Sequence, residues 1–403
     1  MDEEPPEAPP ALELREPLPP VVDTDTGLSA VVEAVAHGDG PVALDAERAS
    51  GYRYSARAYL VQLRRHRAGT ALIDPIAFDD LTVLDAAIKD AEWILHAATQ
   101  DLPCLADIGL TPRRLFDTEL AGRLLNLPRV GLAYLVQEVL GHSLAKEHSA
   151  VDWSTRPLPE PWLLYAALDV EVLVELRDDL ESRLVEAGKR EWAQQEFDAL
   201  LSFTGPRRRA EPWRRTSGIH KARNRRSLGL VRALWERRDE LAAGRDVTPG
   251  RILPDAAIIE IATSRPKDRS TLRDLPTMRK RGARRYIEQW YDAVQAALAL
   301  AEDELPGIGQ RYDGPPPARA WAERNPEAAA RLGRCREALT AMAEANDLPV
   351  ENLLTPDTVR RLAWDPPAEA SQEAVAEVLR GHGARPWQVE LSGPPLAEAL
   401  DTV

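Results

Sequence analysis

The sequence contains little of several features that define protein classes. Among its 403 residues there are two cysteines, three methionines and four phenylalanines. Cys104 and Cys335 lie too far apart in the chain for a disulfide framework or a cysteine-based zinc site. No apolar run approaches the roughly 18 residues that span a bilayer, and residues 1–20 lack the basic start and apolar stretch of a secretory signal. These absences predict a protein of the reducing cytoplasm with no membrane partner.

Charge is abundant but unevenly distributed. The whole chain carries −14 at pH 7, and this average disfavours a nucleic-acid partner. Residues 205–291, however, hold 23 Lys and Arg against 10 Asp and Glu, a balance of +13, so the rest of the chain carries −27. Such asymmetry is typical of a chain in which one part binds a polyanion.

Hydrophobic patterning predicts an α/β domain in the N-terminal half. Apolar runs of strand length occur at 41–47, 58–63, 70–75 and 93–98, and helical patterns alternate with them. The first three runs follow one another at hairpin spacing, which predicts a mixed central sheet. From about Leu115 to Leu201 the pattern is wholly helical.

The remainder of the chain predicts two small all-helical domains that form a weak internal repeat. Arg-rich and Pro/Gly-rich stretches separate the domains, and an acidic, Pro-rich segment at the start is predicted to be a disordered tail. The predicted division is a tail over 1–22, an α/β domain over 23–204, a basic linker over 205–226, a helical domain over 227–303, a second linker over 304–322 and a second helical domain over 323–403.

Acidic residues occur at three places where their side chains can converge. Asp45 and Glu47 end a predicted strand, and residues i and i+2 of a strand point to one face. Asp101 follows the fourth predicted strand. Tyr165 and Asp169 share a helix face at i, i+4 spacing. The neighbouring carboxylates of Asp45 and Glu47 are like charges, and their proximity is costly unless a cation neutralises them. Carboxylate oxygens suit Mg²⁺ or Mn²⁺, and two such ions can support phosphodiester hydrolysis.

These segments resemble the three motifs of the DEDD exonucleases, in the subgroup with a tyrosine in the third motif. The closer resemblance is to the ribonuclease D group, on LDAE (44–47) with Tyr54, LHAATQDLPCL (95–105) and DWSTRPLPEPWLLYAALDV (152–170). Ala46 stands where the family usually has Thr, which removes no ligand. Residues 234–262 are similar to the HRDC module of ribonuclease D and RecQ-type helicases, and the C-terminal copy matches this module poorly. The resemblance implies a ribonuclease H-like catalytic domain followed by HRDC-type helical domains.

The resemblance also implies a role for each site residue. Asp45 would bridge two divalent metal ions, with Glu47 and Asp169 completing the site that holds the attacking water. Asp101 would help hold the second ion near the leaving 3′ oxygen, and Tyr165 would orient the water. The implied activity is 3′–5′ hydrolysis of RNA to nucleoside 5′-monophosphates, in the processing of tRNA precursors or other structured RNA 3′ ends, by a monomer.

Basic residues of the middle segment are candidates for contacts to RNA, because phosphate neutralisation by Lys and Arg dominates nucleic-acid affinity. Alternatively, they form a solvated surface. The nearby aromatics Tyr286, Trp290 and Tyr291 could stack on unpaired bases, but aromatics at helical spacing are more often core residues. The candidate nucleic-acid-binding residues are Arg207, Arg208, Arg209, Arg214, Arg215, Lys221, Arg223, Arg279, Lys280, Arg281, Arg284 and Arg285.

Two other functions stay open from the sequence. A 3′–5′ DNA exonuclease of the Werner type shares the same acidic residues, and contacts to a 2′-hydroxyl cannot be read from one sequence. A non-catalytic nucleic-acid-binding scaffold is the second alternative, which the intact acids disfavour. The sequence has no Gly-x-x-x-x-Gly-Lys-Ser/Thr loop, which argues against an ATP-driven helicase.

Overall fold

A computed structural model describes residues 9–144, 148–206, 209–279, 281–309 and 314–401. Its N-terminal part is built around a six-stranded sheet in the order β1-β4-β3-β2-β5-β6. Strands β2, β3 and β4 are antiparallel neighbours, whereas β1, β5 and β6 join in parallel, so the predicted mixed sheet is confirmed. The strands are β1 (Val21–Val22), β2 (Asp39–Arg48), β3 (Ala58–His66), β4 (Gly69–Ile73), β5 (Trp93–Leu95) and β6 (Leu115–Asp117).

Helices cover both faces of this sheet. On one face, Leu28 and Leu84 pack against strand residues such as Leu44. On the other, Val170 and Leu176 pack against strand residues such as Ala43. The helices of this domain are α1 (Asp25–His37), α2 (Thr82–Ile88), α3 (Leu102–Ala106), α4 (Thr118–Leu124), α5 (Leu132–Leu140), α6 (Glu160–Glu171), α7 (Leu173–Glu186) and α8 (Arg190–Leu200).

The first helical domain has its own apolar core, which contains the buried Trp213 and Trp290. It contacts the loop that follows β2: the Asp246 carboxylate accepts the Ser55 N–H at 2.8 Å, and the Tyr54 hydroxyl donates to Asp239 at 3.0 Å. Its helices are α9 (Arg225–Ala243), α10 (Pro249–Ile252), α11 (Asp255–Ser264), α12 (Arg269–Asp274), α13 (Arg281–Arg284) and α14 (Ile287–Ala299).

The second helical domain packs directly on the α/β domain, and its core is continuous with the one beneath α7 and α8. The Trp387 ring stacks on Trp192 with centroids 5.1 Å apart, and its indole N–H donates to Glu196 at 2.9 Å. Its helices are α15 (Trp321–Arg324), α16 (Pro326–Ala345), α17 (Val350–Leu353), α18 (Pro356–Trp364), α19 (Gln372–Gly381) and α20 (Pro386–Asp401). The domain limits read from the sequence stay predictions.

Two segments differ from the sequence-based expectation. The sequence predicts helix over residues 115–117, but these residues form β6. Three residues are too few to show the alternation of apolar and polar residues that identifies a strand in a sequence. Residues 9–22, assigned to a disordered tail, lie along the α/β domain instead. There Arg15 pairs with the buried Glu171, and Val21–Val22 adds a strand beside β4. Backbone pairing, the ion pairs of Arg15 with Glu171 and Glu175, and packing of Leu12, Leu14 and Leu18 thus order a segment that has no hydrophobic period.

Within the part of the chain that the structure describes, no helix is long and apolar enough to cross a bilayer.

Candidate active site

Strand β2 places the first two acids on one face of the sheet. Its residues alternate, so Val42 and Leu44 face α1 and α2, whereas Ala43 faces the α6–α7 side. Asp45 and Glu47 continue the Ala43 set toward the carboxyl end of the strand. Both therefore point toward α6, as the i, i+2 spacing predicts.

Helix α6 brings the second pair to the same place. Tyr165 and Asp169 lie one turn apart on this helix, and the Tyr165 hydroxyl hydrogen-bonds the Asp169 carboxylate. One carboxylate oxygen each of Asp45, Glu47 and Asp169 lies within 4.8 Å of the others. Two acids of β2 and a third that lies more than 120 residues later in the sequence thus form one cluster.

Asp101 reaches the site from a tight turn after β5. This turn begins at Ala97, which has a left-handed φ of 56°. The buried Asp117 carboxylate accepts the N–H groups of Ala97 at 3.2 Å and Ala98 at 2.8 Å, and it also caps α4. Asp101 is 4% exposed and lies outside the three-acid cluster, but it lines the same cavity. A fourth acid therefore contributes to the wall of this cavity.

All five predicted catalytic side chains line one cavity of about 560 Å³. Its wall includes the N-terminal end of α5, with Arg129 just before that helix and Tyr134 on it. His96 also lines it, with Nδ1 2.9 Å from the Thr118 hydroxyl, and burial lowers its pKa to about 4. The cavity is large enough for a terminal nucleotide.

The carboxylates destabilise one another's charged forms. Burial raises the pKa of Asp45 to about 6, although the nearby Arg48 opposes this shift. Burial, followed by the charges of Asp45, Asp169 and Asp101, raises the pKa of Glu47 to about 10. Burial also raises the pKa values of Asp101 and Asp169 well above the usual range. A cluster with this arrangement requires protons or cations to balance it.

The donor set fits divalent metal ions. Asp45, Glu47 and Asp169 offer hard oxygen ligands, and Glu47 and Asp169 are 9% and 7% exposed. Within the described residues, the acid cluster contains no histidine or cysteine ligand, which favours Mg²⁺ or Mn²⁺ over zinc. Buried carboxylates of this kind are stable in the charged form only with a bound cation.

Three residues that support the site were not predicted from the sequence. Gln62 lies opposite Asp45 on β3, and its amide donates to Glu47 at 3.5 Å. Asp117 anchors the turn that carries Asp101, and Arg48 extends toward the same acid. A buried glutamine in an otherwise apolar strand is a sequence signal for Gln62. The other two have none, because their partners come from tertiary contacts.

The predicted RNA-binding residues fall into two groups. Arg209, Arg215, Lys221, Arg223, Arg279, Arg284 and Arg285 are exposed. Arg214 differs from the prediction: its side chain is 7% exposed, and it donates to Glu211 at 2.7 Å and to the Gly307 carbonyl at 3.1 Å. Its guanidinium therefore already has partners within the chain. Arg207, Arg208, Lys280 and the Arg281 side chain lie outside the described residues.

Comparison with known proteins agrees with this geometry. Residues 19–185 match the family described as 3′-5′ exonuclease, residues 227–294 the HRDC domain, and residues 314–400 the family described as 3′ to 5′ exonuclease C-terminal domain. The last segment is the one for which the sequence predicts a divergent HRDC-like domain.

Relatives match over most of the chain. A ribonuclease D of Gluconacetobacter diazotrophicus is 30% identical over 87% of this chain and 87% of its own length. The crystal structure of Escherichia coli RNase D, described as an exoribonuclease involved in structured RNA processing, is 25% identical and covers 94% of this chain and 98% of its own, with a TM-score of 0.69. A crystal structure of a protein from Bifidobacterium adolescentis is 40% identical and covers 98% and 100%, with a TM-score of 0.90. The chain therefore belongs to the ribonuclease D family and is a 3′–5′ exonuclease that hydrolyses phosphodiester bonds.

Proposed function

We propose that this protein is a metal-dependent exoribonuclease that shortens RNA from the 3′ end and releases nucleoside 5′-monophosphates. The observation that carries the proposal is the convergence of Asp45, Glu47 and Asp169, with oxygens within 4.8 Å of one another, in a cavity that Asp101 and Tyr165 also line. Because these acids come from a strand, a turn and a helix, their meeting is not a product of local sequence.

Asp45, Glu47, Asp101 and Asp169 would hold two divalent ions, Mg²⁺ or Mn²⁺. The charge of Asp45 acts on Glu47, Asp101 and Asp169 alike, so Asp45 is the residue best placed to be shared. When bound, the ions would activate a water molecule and stabilise the charge that develops on the leaving oxygen.

Tyr165 supplies a fixed donor beside the acids. Burial and the charge of Asp169 raise its pKa far above the ordinary value, so the phenol stays protonated. A protonated hydroxyl held by Asp169 can orient a water molecule but cannot act as a base. We therefore assign Tyr165 to positioning of the attacking water.

RNA is the substrate class that the relatives' names favour, and processing of tRNA precursors or other structured RNA 3′ ends is the proposed role. The exposed residues of the basic segment would bind the RNA backbone outside the cavity. We also propose that the protein works as a cytoplasmic monomer, which sedimentation of the pure protein and cell fractionation would test.

The test offers matched RNA and DNA with single-stranded 3′ overhangs to the full chain in Mg²⁺, Mn²⁺ or EDTA. We expect stepwise shortening of RNA from the 3′ end, 5′-monophosphate products and no activity in EDTA. Faster digestion of DNA would favour the Werner-type alternative. Binding without digestion, unchanged between wild type and Asp169→Asn, would favour the scaffold. Asp178→Asn, on an exposed carboxylate of α7, is the matched control and should keep full activity.

A further inference from the structure

Arg48 is a cation placed among the carboxylates of the cavity. It ends β2, directly after Glu47, and lines the cavity with Asp45 and Asp101. We propose that Arg48 binds the substrate: its guanidinium, held beside Asp101 in the RNA-free protein, makes a bidentate contact to the non-bridging oxygens of the 3′-terminal phosphodiester. This inference rests on the proposed function and names a phosphate-binding residue for that site.

The Arg48 guanidinium has N–H groups that are available to bind a further acceptor. Its Nη2 lies 3.7 Å from Asp101 Oδ1, which is close enough for charge attraction but longer than a hydrogen bond. Its Nε is buried and has no hydrogen-bond partner among the described residues. A buried donor without an acceptor is costly, and 27% of the side chain remains exposed. An incoming phosphate can fill these donors in the bidentate geometry that arginine favours.

The balance of charge gives the same answer. Four carboxylates equal the charge of two divalent ions, so the phosphate that enters the cavity brings an uncompensated negative charge. The positive charge of Arg48 lowers the pKa of Asp45, Glu47 and Asp101 against the effect of burial, which locates it within reach of all three. Arg129 lines the same cavity but lies over the Tyr134 ring, 5.9 Å from its centroid. Arg48 is thus the better-placed partner for the reacting phosphate.

Arg48 and a divalent ion also compete for Asp101. In the RNA-free protein the guanidinium occupies part of the space and charge that a cation near Asp101 would need. Arrival of the phosphate gives Arg48 another partner and leaves Asp101 to the metal. Metal affinity should therefore be weakened by Arg48 in the absence of RNA.

The test is a double-substitution cycle between Arg48 and the RNA. A neutral methylphosphonate replaces each of the last three linkages in turn, and binding is measured by anisotropy in Ca²⁺, with product analysis to verify that the RNA stays intact. We expect Arg48→Met and the methylphosphonate at the terminal linkage each to weaken binding about tenfold, the effect of a charged hydrogen bond. The variant and the modified linkage together should weaken binding no more than either change alone. Independent, multiplicative losses at every linkage would overturn the assignment, and coupling at another linkage would overturn the choice of phosphate.

Calorimetric titration with Mn²⁺, without RNA, provides the second readout. Arg48→Met should bind the ion several-fold more tightly than wild type, whereas Arg129→Met, the matched control, should not change the affinity. Equal affinity of Arg48→Met and wild type for Mn²⁺ would contradict the competition between Arg48 and the ion.

Arg48→Lys keeps the positive charge but lacks the planar guanidinium that makes bidentate contacts. It should therefore retain wild-type metal affinity and lose most of the coupling to the phosphate. A lysine variant with full coupling would contradict a bidentate contact. Absence of any nuclease activity in the wild type would refute the proposed function, yet the binding cycle would still report on Arg48.

Discussion

The carboxylates of the cavity and Arg214 of the basic segment differ in whether the chain itself supplies partners for their charges. Asp45, Glu47 and Asp169 converge and are mostly buried; burial raises the pKa of each, and the charges of neighbouring acids raise the pKa values of Glu47 and Asp169 further. Arg214, by contrast, donates to Glu211 and to a main-chain carbonyl. The first group requires a partner from outside the chain, whereas Arg214 already has partners within it.

This difference shows how to read charge in a sequence. A run of arginines measures how much positive charge is available, but each guanidinium has five donors that neighbouring carbonyls can use. Arg225 and Arg226, for example, donate to the carbonyls of Leu305 and Leu300. Buried acids without such partners are rare and costly. Their clustering is therefore the stronger indication of function.

The largest expected effect is on the side of the acids. Asp169→Asn removes one ligand charge and weakens the hydrogen bond that holds Tyr165. Loss of a group that hydrogen-bonds a metal ligand lowers activity by up to roughly 100-fold. Because Asp169 would itself bind the metal, we expect its substitution to lower kcat by more than this. Stability in EDTA should not fall, because the repulsion within the cluster is reduced. Steady-state kinetics and thermal unfolding of the same preparation check both parts; a variant with wild-type kcat would remove Asp169 from the site.

The next effect is on stability, on the side of the arginines. Arg214→Met leaves Glu211 and the Gly307 carbonyl without their donor. Hydrogen bonds to charged groups contribute about 1.5–3 kcal/mol, and we expect the free energy of unfolding in urea to fall by an amount in this range. RNA affinity measured below the unfolding transition should stay unchanged. A loss of RNA affinity without a loss of stability would restore Arg214 to the RNA-binding group.

The exposed arginines should behave in the opposite way. Replacement of Arg284 and Arg285 by Gln leaves the fold intact, because both side chains are exposed. RNA binding should weaken several-fold, and the slope of log K against log salt should fall by about 0.7 per lost contact with a single strand. Fluorescence anisotropy over a salt series measures this. An unchanged slope would mean that these two residues form a solvated surface.

A further expected effect is the pH dependence of stability. Because the pKa of Glu47 is about 10 in the folded protein, the metal-free folded state retains a proton that the unfolded chain loses above about pH 4.5. Its contribution to stability is therefore fully present below about pH 4.5 and is lost progressively as the pH rises toward about 10. In Mg²⁺ the trend should reverse, since binding needs deprotonated ligands.

Melting temperatures in EDTA and in Mg²⁺ across this range provide the measurement. Glu47→Gln is the control, and its curve in EDTA should be flatter than that of wild type. A wild-type curve in EDTA that rises relative to the Glu47→Gln curve would contradict the assigned pKa shift.

Local spacing predicts the core of the site but not its surroundings. Asp45 with Glu47 and Tyr165 with Asp169 follow from strand and helix periodicity. Arg48 and Asp117 do not, because their roles arise from contacts with a turn that is distant in sequence. The α/β class and the mixed sheet follow from the apolar runs.

Other parts of the fold depend on tertiary contacts alone. The three-residue β6 and the ordered segment 9–22 are specified by pairing with strands and by the buried Glu171. Similarly, no pattern in the sequence shows that Trp387 stacks on Trp192 or that Arg214 is enclosed. Periodicity reports which face of an element is buried, but not against which element it packs.

The central claim is that the clustered acids support hydrolytic attack of water on the 3′-terminal phosphodiester. Digestion of a short RNA in H₂¹⁸O with Mg²⁺, followed by mass spectrometry of the released nucleotides, tests it most directly. We expect 5′-monophosphates that each carry one ¹⁸O in the phosphate, with none released by Asp169→Asn. Release of nucleotides without ¹⁸O, or as 3′-phosphates or diphosphates, would contradict it.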